Sequence, residues 1–558
     1  MRTIIYQILP RLFGNDNCHC ISNGSITENG CGKMNDITTK ALEEIKKLGV
    51  SHVWYTGLLE HATQTDYSSY GIPKDHPAMV KGIAGSPYAV KDYYDIDPDL
   101  ASAPTRRFRE FRNLVNRTHR AGLKVIMDFV PNHVAREYCS DNTPLGTAQF
   151  GEHDNTNVHF SPANNFYYLD APLQCQFDMQ GNTPVPYQEF PAKVTGNDCF
   201  TPSPTINDWY ETVKLNYGVD YTHNGSKHFS PTPDTWVKMR DILLFWASQG
   251  IDGFRCDMAE MVPCEFWSWV IPVIKEKNPD ILFIAEVYNP QLYRDYIYRG
   301  HFDYLYDKVG LYDTLRHITC GYAPASSITS CWQSIDDIIG HMLNFLENHD
   351  EQRIASRFFA GDGNKALPAL IVSSCINTQP FMLYCGQELG ETGMDEEGFS
   401  GLDGRTTIFD YWSVKTIREW RAGGNFDDSR ISASSRNLLQ RYRTVLNLSK
   451  NEKALSMGRF FDLMYVNTDN PQFNPDNTYA FIRSYQNEHI LIAVNFDSHD
   501  VTQVINIPQL AFDTMGIART VYAAVDLLTG DTCDIDLTQQ MSCKVNIPAY
   551  SSIILKFK

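Results

Sequence analysis

The feature that most restricts what this chain can fold into is a rhythm, in which short apolar runs alternate with longer amphipathic ones from Ile4 to Tyr384. Strand-like runs fall at Ile4–Leu9, His52–Leu58, Lys124–Val130, Gly253–Cys256, Leu282–Val287, Met342–Leu346 and Pro380–Tyr384, with a weaker one near Phe302–Tyr306. Helical periodicity occupies Thr38–Leu48, Arg106–Ala121, Asp234–Gln249, Glu265–Glu276, Ser327–Gly340 and Leu367–Asn377. Strands separated by helices of this length predict parallel βα units. Seven clear strands and the weaker one make the eight of a (β/α)8 barrel. An open doubly wound sheet is the competing arrangement, and the chain carries no glycine-rich phosphate loop for it.

Two regions break the rhythm. Residues 135–232 are polar and rich in Asn, Pro, Gly and aromatics, without a clear helix. They read as an insertion domain after the third strand, between barrel parts 1–134 and 233–456. Beyond about Met457 the pattern turns to period two. YAFIRSY and HILIAVNF flank a short polar turn, and Val501–Ile507, Val521–Leu528 and Val545–Leu555 follow. Residues 457–558 therefore predict an antiparallel β-sandwich domain.

Composition excludes some partners. Against 48 basic residues stand 66 acidic ones, a net charge of −18. Nucleic acid and anionic membranes reward basic patches, so neither is an expected partner. No run approaches the roughly 18 apolar residues of a membrane span. The start MRTIIYQILPRLFG lacks a signal-peptide h-region and cleavage site, and Thr3–Leu9 already reads as a strand, so the expected location is cytoplasmic. The fourteen cysteines are then expected to be mostly reduced. Cys18-His19-Cys20 with Cys31 has a C-x-C spacing, but no second pair follows at zinc-site spacing, and these read as loop cysteines.

The chemistry lies at the strand ends. In GIDGFRCDMAEMVP, Arg255 and Asp257 stand two apart between apolar neighbours. Alternate strand residues share a face, so both charges point the same way, and buried charge is costly unless paired or used. A barrel places its reactive groups at the C-terminal ends of its strands. Those ends read DFVPNH (Asp128–His133), GFRCD (Gly253–Asp257), AEV (Ala285–Val287) and ENHD (Glu347–Asp350). Asp257, Glu286 and Asp350 are thus expected to converge with Arg255, His133 and His349 on one mouth. A close pair of carboxyl groups is what a retaining glycosidase needs, one ionised beside a cation and one kept protonated.

These four segments resemble, in order and spacing, the signature regions of the α-amylase superfamily of glycoside hydrolases. IIYQILPRLF is similar to the family's first strand, and GSPYAVKDYYDIDP to the segment bearing a sugar-stacking tyrosine, here Tyr88. The insertion resembles domain B and the β-rich tail domain C. The resemblance implies Asp257 as nucleophile, Glu286 as general acid/base and Asp350 as the third carboxylate, which binds hydroxyls of the distorted sugar. It implies Arg255 as the nucleophile's partner, His133 and His349 as holders of the same ring, and Arg353 near the next sugar. Asp128 and Asp92 match aspartates read as structural. An oligosaccharide substrate and no required cofactor follow. Calcium is doubtful: Asn132 matches a calcium ligand, but Glu260 and Met261 stand where many α-amylases have a Lys-His pair. Lys214-Leu215-Asn216 is similar to the KLN of the neopullulanase and cyclomaltodextrinase group. The implied activity is hydrolysis of α-glucans or maltooligosaccharides. A glucanotransferase of the same family is the alternative, and a non-catalytic binding homologue the remote one. Bond preference, endo or exo action and oligomeric state are not legible.

Overall fold

Barrel closure follows from eight β-rich runs that each return through a helix on the outside. The computed structural model describes residues 2–177, 185–393 and 402–558. The barrel strands are β1 (Ile4–Ile8), β2 (His52–Tyr55), β3 (Lys124–Phe129), β4 (Gly253–Cys256), β5 (Leu282–Ala285), β6 (Tyr304–Tyr306), β7 (Met342–Phe345) and β8 (Phe381–Tyr384). They are parallel, neighbour one another in chain order, and close β8 onto β1. Five of them (β1, β2, β3, β5 and β7) end one to three residues before their apolar runs do, where the chain turns out toward the loops that build the site.

Alternation within the strands makes a two-zone interior. Ile5, Trp54, Ile126, Ile284, Tyr306, Leu343, Phe345 and Met382 form one buried apolar cluster. Two residues further along the same faces come Asp128 after Ile126, and Glu286 after Ile284. On β4, Gly253 leads to Arg255 and then Asp257 on that face; Arg255 lies level with Asp128 on β3 and Ile284 on β5. The barrel is therefore plugged by hydrocarbon below and charged at the top.

The helical reading of Ser327–Gly340 is corrected: the helix is Ser327–Ser334, and a separate turn forms at Ile339–His341. Arg294 takes the Ser334 carbonyl at 3.1 Å and the Asp337 carboxylate at 2.6 Å, which ends the helix there. Leu367–Cys375 is buried on every side, as befits a helix with no polar face; the barrel lies on one side and the C-terminal sheet on the other.

Between β3 and the helix Asp234–Ser248 the described residues of the insertion build short antiparallel pairs. His133–Ala135 pairs with Thr212–Lys214, Tyr168–Leu169 with Ala192–Lys193, and Val219–Asp220 with Ser226–Lys227. Its residues 178–184 lie outside the described ones. The C-terminal strands are β9 (Arg459–Asp462), β10 (Thr478–Tyr485), β11 (Glu488–Asn495), β12 (Val501–Asn506), β13 (Val521–Asp526), β14 (Thr532–Asp536), β15 (Ser542–Ile547) and β16 (Ser551–Phe557). Six make an antiparallel sheet in the order β9-β10-β11-β16-β13-β14, and β12 pairs with β15 as a ribbon. The run expected as one strand, Val545–Leu555, is two: Pro548 has no N–H for a ladder, and Tyr550 turns the chain at φ 46°.

All fourteen cysteines are free thiols. Cys20 and Cys31 donate to the backbone carbonyls of Asn29 and Asp99. Among the described residues, no helix is long and apolar enough to cross a membrane.

Candidate active site

The site is organised by one buried guanidinium. Arg255, 1% exposed, has Nη1 2.5 Å from Asp257 Oδ1 and Nη2 2.9 Å from Glu286 Oε2. Only the Asp257 contact has hydrogen-bond direction; Nη2 makes no hydrogen bond. Its Nε donates to Tyr306 Oη at 3.2 Å, and the plane lies over the Trp54, Tyr88 and Tyr306 rings at 5.3, 5.5 and 5.5 Å. Aromatic faces around a desolvated cation offset part of its lost hydration. Asp128 completes the support, 3.9 Å from Arg255 Nη1 while accepting from Trp54 Nε1 and Gly57 N–H. Burial pushes Asp128 up to about 7, against the pull of Arg255.

Asp257 and Glu286 differ in how they are held. Burial raises Asp257 from the ordinary carboxylate range, and the directed bond from Arg255 opposes this. Glu286 is raised by burial and by the charge of Asp257, with Arg255 again opposing. Its Oε2 accepts the Met258 N–H at 2.8 Å, and its Oε1 accepts the Tyr288 hydroxyl. Met258 offers that N–H from a left-handed conformation, φ 42° and ψ 42°, which costs a non-glycine residue on the order of 1–2 kcal/mol. The turn after β4 thus stores strain at the position that orients Glu286.

Asp350 faces them across the pocket, its side chain 31% exposed. It sits deep in the cleft, so burial and the charges of Glu286 and Asp257 raise its pKa strongly. His349 lies behind it with Nε2 3.1 Å from Asp350 Oδ2 and 2.5 Å from Tyr88 Oη. Gln7 Nε2 donates to His349 Nδ1 at 2.8 Å, which places the imidazole proton on Nε2, toward Asp350 and Tyr88. Burial and Arg255 hold His349 neutral, and burial with Lys214 lowers His133 to about 3. Both are therefore neutral hydrogen-bonding groups near pH 7. Tyr88 stacks on His349 at 5.2 Å, and Trp209 from the insertion leans on His133 at 5.3 Å.

These groups open into a cavity of about 530 Å³, large enough for a short oligosaccharide, whose walls include Tyr88, His133, Asp257, Glu286 and Asp350. The same walls carry residues that strand-end reasoning missed: Trp209, Tyr288, Lys308, Val309 and Phe409 among them. Tyr288 had a signal, because it follows Glu286 by two positions as Asp257 follows Arg255. Trp209 and Phe409 stand on loops, and Lys308 and Val309 open the short helical turn Lys308–Tyr312 just after β6, where no periodicity marks them.

One expectation is corrected. Arg353 does not line the cavity. It is 1% exposed and donates to Glu347 Oε2 at 2.9 Å, Cys385 O at 3.0 Å and Thr406 Oγ1 at 3.0 Å, with its guanidinium 3.9 Å from the Tyr384 ring centroid. Every face is used inside the protein. Asn132, the doubtful calcium ligand, has its Oδ1 accepting from Lys214 Nζ at 2.9 Å, and the same ammonium is 2.5 Å from Asp198 Oδ1. A side-chain cation already sits where a metal would bind.

A parallel barrel with three carboxylates and a buried arginine at its open end defines a glycosidase-type enzyme scaffold. The family model for the α-amylase catalytic domain matches residues 7–454. The chain belongs to the α-amylase family of glycoside hydrolases. Neopullulanase 2 of Thermoactinomyces vulgaris is 22% identical over 99% of this chain and 77% of that protein. An α-1,4-glucan:maltose-1-phosphate maltosyltransferase of Rhodospirillum rubrum is 25% identical over 48% of this chain and 34% of that protein. The crystal structure of an α-amylase from Geobacillus thermoleovorans, complexed with acarbose, shares the fold with a TM-score of 0.64 at 18% identity, covering 100% of this chain and 98% of that one.

Proposed function

We propose that the protein is a retaining hydrolase of α-linked glucans or maltooligosaccharides. The carrying observation is that one guanidinium contacts both Asp257 and Glu286 in a pocket that also holds Asp350. A pair gathered on one cation suits the close spacing of retaining enzymes; inverting pairs stand roughly 6.5–9.5 Å apart to admit a water.

The chemistry follows from the two environments. Asp257, bonded by Arg255, attacks the anomeric carbon as the carboxylate. The bond to the glycosidic oxygen breaks as Glu286 delivers its proton to that oxygen. A β-glycosyl ester on Asp257 remains, with Glu286 ionised. Water then gives a proton to Glu286 and attacks the same carbon, freeing Asp257 and releasing an α-anomer. Tyr288 and the Met258 N–H favour the ionised form of Glu286 that this second step requires. Asp350 and the neutral His133 and His349 hold sugar hydroxyls, while Tyr88 and Trp209 offer faces for the rings. The domain limits read from the sequence, with 1–134 and 233–456 as barrel, 135–232 as insertion and 457–558 as tail, belong to the same proposal.

A second reading, transfer of the glycosyl group to a sugar hydroxyl, is supported by the match to a maltosyltransferase and by apolar walls at Val309, Ile408 and Phe409 able to seat an acceptor. A time course on maltoheptaose, with pullulan beside it, decides. Shorter maltooligosaccharides alone support hydrolysis. Products longer than the substrate move the assignment to transfer, and no reaction on either glucan rejects both.

A further inference from the structure

The turn that follows Asp257 touches Glu286 twice, once directly and once through Tyr288. Met258 gives its N–H to Glu286 Oε2. Two residues on, the half-buried Glu260 sends its carboxylate across to the segment after β5. There its Oε2 accepts the Tyr288 N–H at 3.1 Å and the Asn289 N–H at 3.0 Å. Tyr288 in turn brings its hydroxyl back to Glu286 Oε1. Residues 258–260 therefore reach both oxygens of one carboxyl group by separate routes.

The turn is anchored well enough to act as a reference. Ala259–Met261 is a short helical turn whose carbonyls are held from outside. Trp267 Nε1 donates to Ala259 O at 3.2 Å, and Tyr296 Oη to Glu260 O at 3.2 Å and Val262 O at 2.8 Å. The segment after Ala285, by contrast, enters no helix or strand before Tyr293. A stretch without a ladder needs its N–H groups satisfied by other acceptors. One Glu260 oxygen takes two in succession, which fixes the backbone of Tyr288 and so where its side chain starts. A lysine, as in the Lys-His pair of many α-amylases, carries donors only and could accept neither. The charges facing Glu286 are Arg255, Asp257 and Asp350, with His133 and the Tyr288 and Tyr306 phenols beside them. A change at Glu260 alters none of these groups chemically.

We propose that Glu260 is a positioning residue, which by accepting the Tyr288 and Asn289 N–H groups holds the Tyr288 hydroxyl on Glu286. The inference rests on the reading of Glu286 as the acid and base of the cycle. The loop that carries the nucleophile thereby also sets the proton donor, with Met258 on one carboxyl oxygen and Glu260, through Tyr288, on the other.

The test compares two variants of the full chain. Glu260→Leu removes the acceptor, whereas Glu260→Gln removes the charge but keeps a carbonyl oxygen at the same reach. Release of Tyr288 takes away a donor that favours ionised Glu286. The alkaline limb of the kcat/KM profile should therefore lie about one pH unit higher in Glu260→Leu than in Glu260→Gln, the size of one hydrogen bond to a carboxylate. Adding Glu260→Leu to Tyr288→Phe should raise the limb no further. Equal limbs in the Leu and Gln variants, or a full further rise in the double variant, overturn the proposal. Glu260→Ala removes the same acceptor should Glu260→Leu fail to fold. Crystal structures of parent and variant read the geometry without turnover. Tyr288 Oη withdrawn from Glu286 Oε1 supports the tie, and Tyr288 unmoved overturns it, even where the parent acts on no glucan and the reading of Glu286 itself fails.

Discussion

Tyr288 donates its hydroxyl to Glu286 Oε1 while the opposite oxygen of the same carboxyl accepts the Met258 N–H at 2.8 Å. Both donors favour the ionised form, against the burial that favours the acid. Glu286 must be acid in the first half of the proposed cycle and base in the second, so its pKa is a compromise. Removing the phenol in Tyr288→Phe should raise the Glu286 pKa. The alkaline limb of the kcat/KM profile, which reports loss of the acid's proton, should move to higher pH. The step that needs the base should slow more than the step that needs the acid. An alkaline limb that moves down contradicts the assignment.

Arg353 illustrates how a charged residue near a site can serve only the fold. Arg353→Met removes the partner of Glu347, which is itself 1% exposed, and breaking such a pair costs about 3–5 kcal/mol. The pH dependence has a fixed sign. Glu347 is already raised to about 7 by burial, so its contribution to stability is full below the unfolded carboxyl range and is lost as pH rises through 7. Without Arg353 the folded pKa rises further, so the deficit of the variant should grow above pH 7. Chemical denaturation of both proteins at pH 5.5 and pH 8.5 measures it. Equal stability with a raised KM would return Arg353 to the substrate.

Lys214 takes the position beside Asn132 that a metal would need. Lys214→Met should lower stability by about 2 kcal/mol, toward the low side of buried-pair losses because Asp198 is 38% exposed. Since the insertion strand Thr212–Lys214 pairs with His133–Ala135, the loss should be accompanied by a higher KM through displacement of His133. An unchanged Tm would show that the ammonium is not the brace.

The sequence made the barrel legible because its signal is redundant. Eight apolar runs, six of them followed by a helical pattern, tolerate an error of one to three residues at any end, as at His52–Tyr55. The acids were legible for the same reason, since each closes a run. The fate of Arg353 was not, because HDEQR is identical whether its arginine turns outward to a sugar or inward to Glu347. Burial of Glu347, one residue past β7's own apolar run, decides that and leaves no trace in spacing. Trp209 and Phe409 reach the pocket from loops whose course depends on contacts far apart in the chain.

The central claim is that Asp257 carries the sugar. In Glu286→Gln the acid is gone, but a glycosyl fluoride needs no protonation to leave, so the first step survives while the second, which needs the base, does not. The variant should therefore lose turnover of maltoheptaose far more than its reaction with α-maltotriosyl fluoride. The measurement is to mix this variant with α-maltotriosyl fluoride, quench in acid and map the peptides by mass spectrometry. A maltotriosyl adduct on the peptide containing Asp257, absent in Asp257→Asn combined with Glu286→Gln, is the predicted result. An adduct on the peptide containing Asp350, or one that persists when Asp257 is changed, would contradict it.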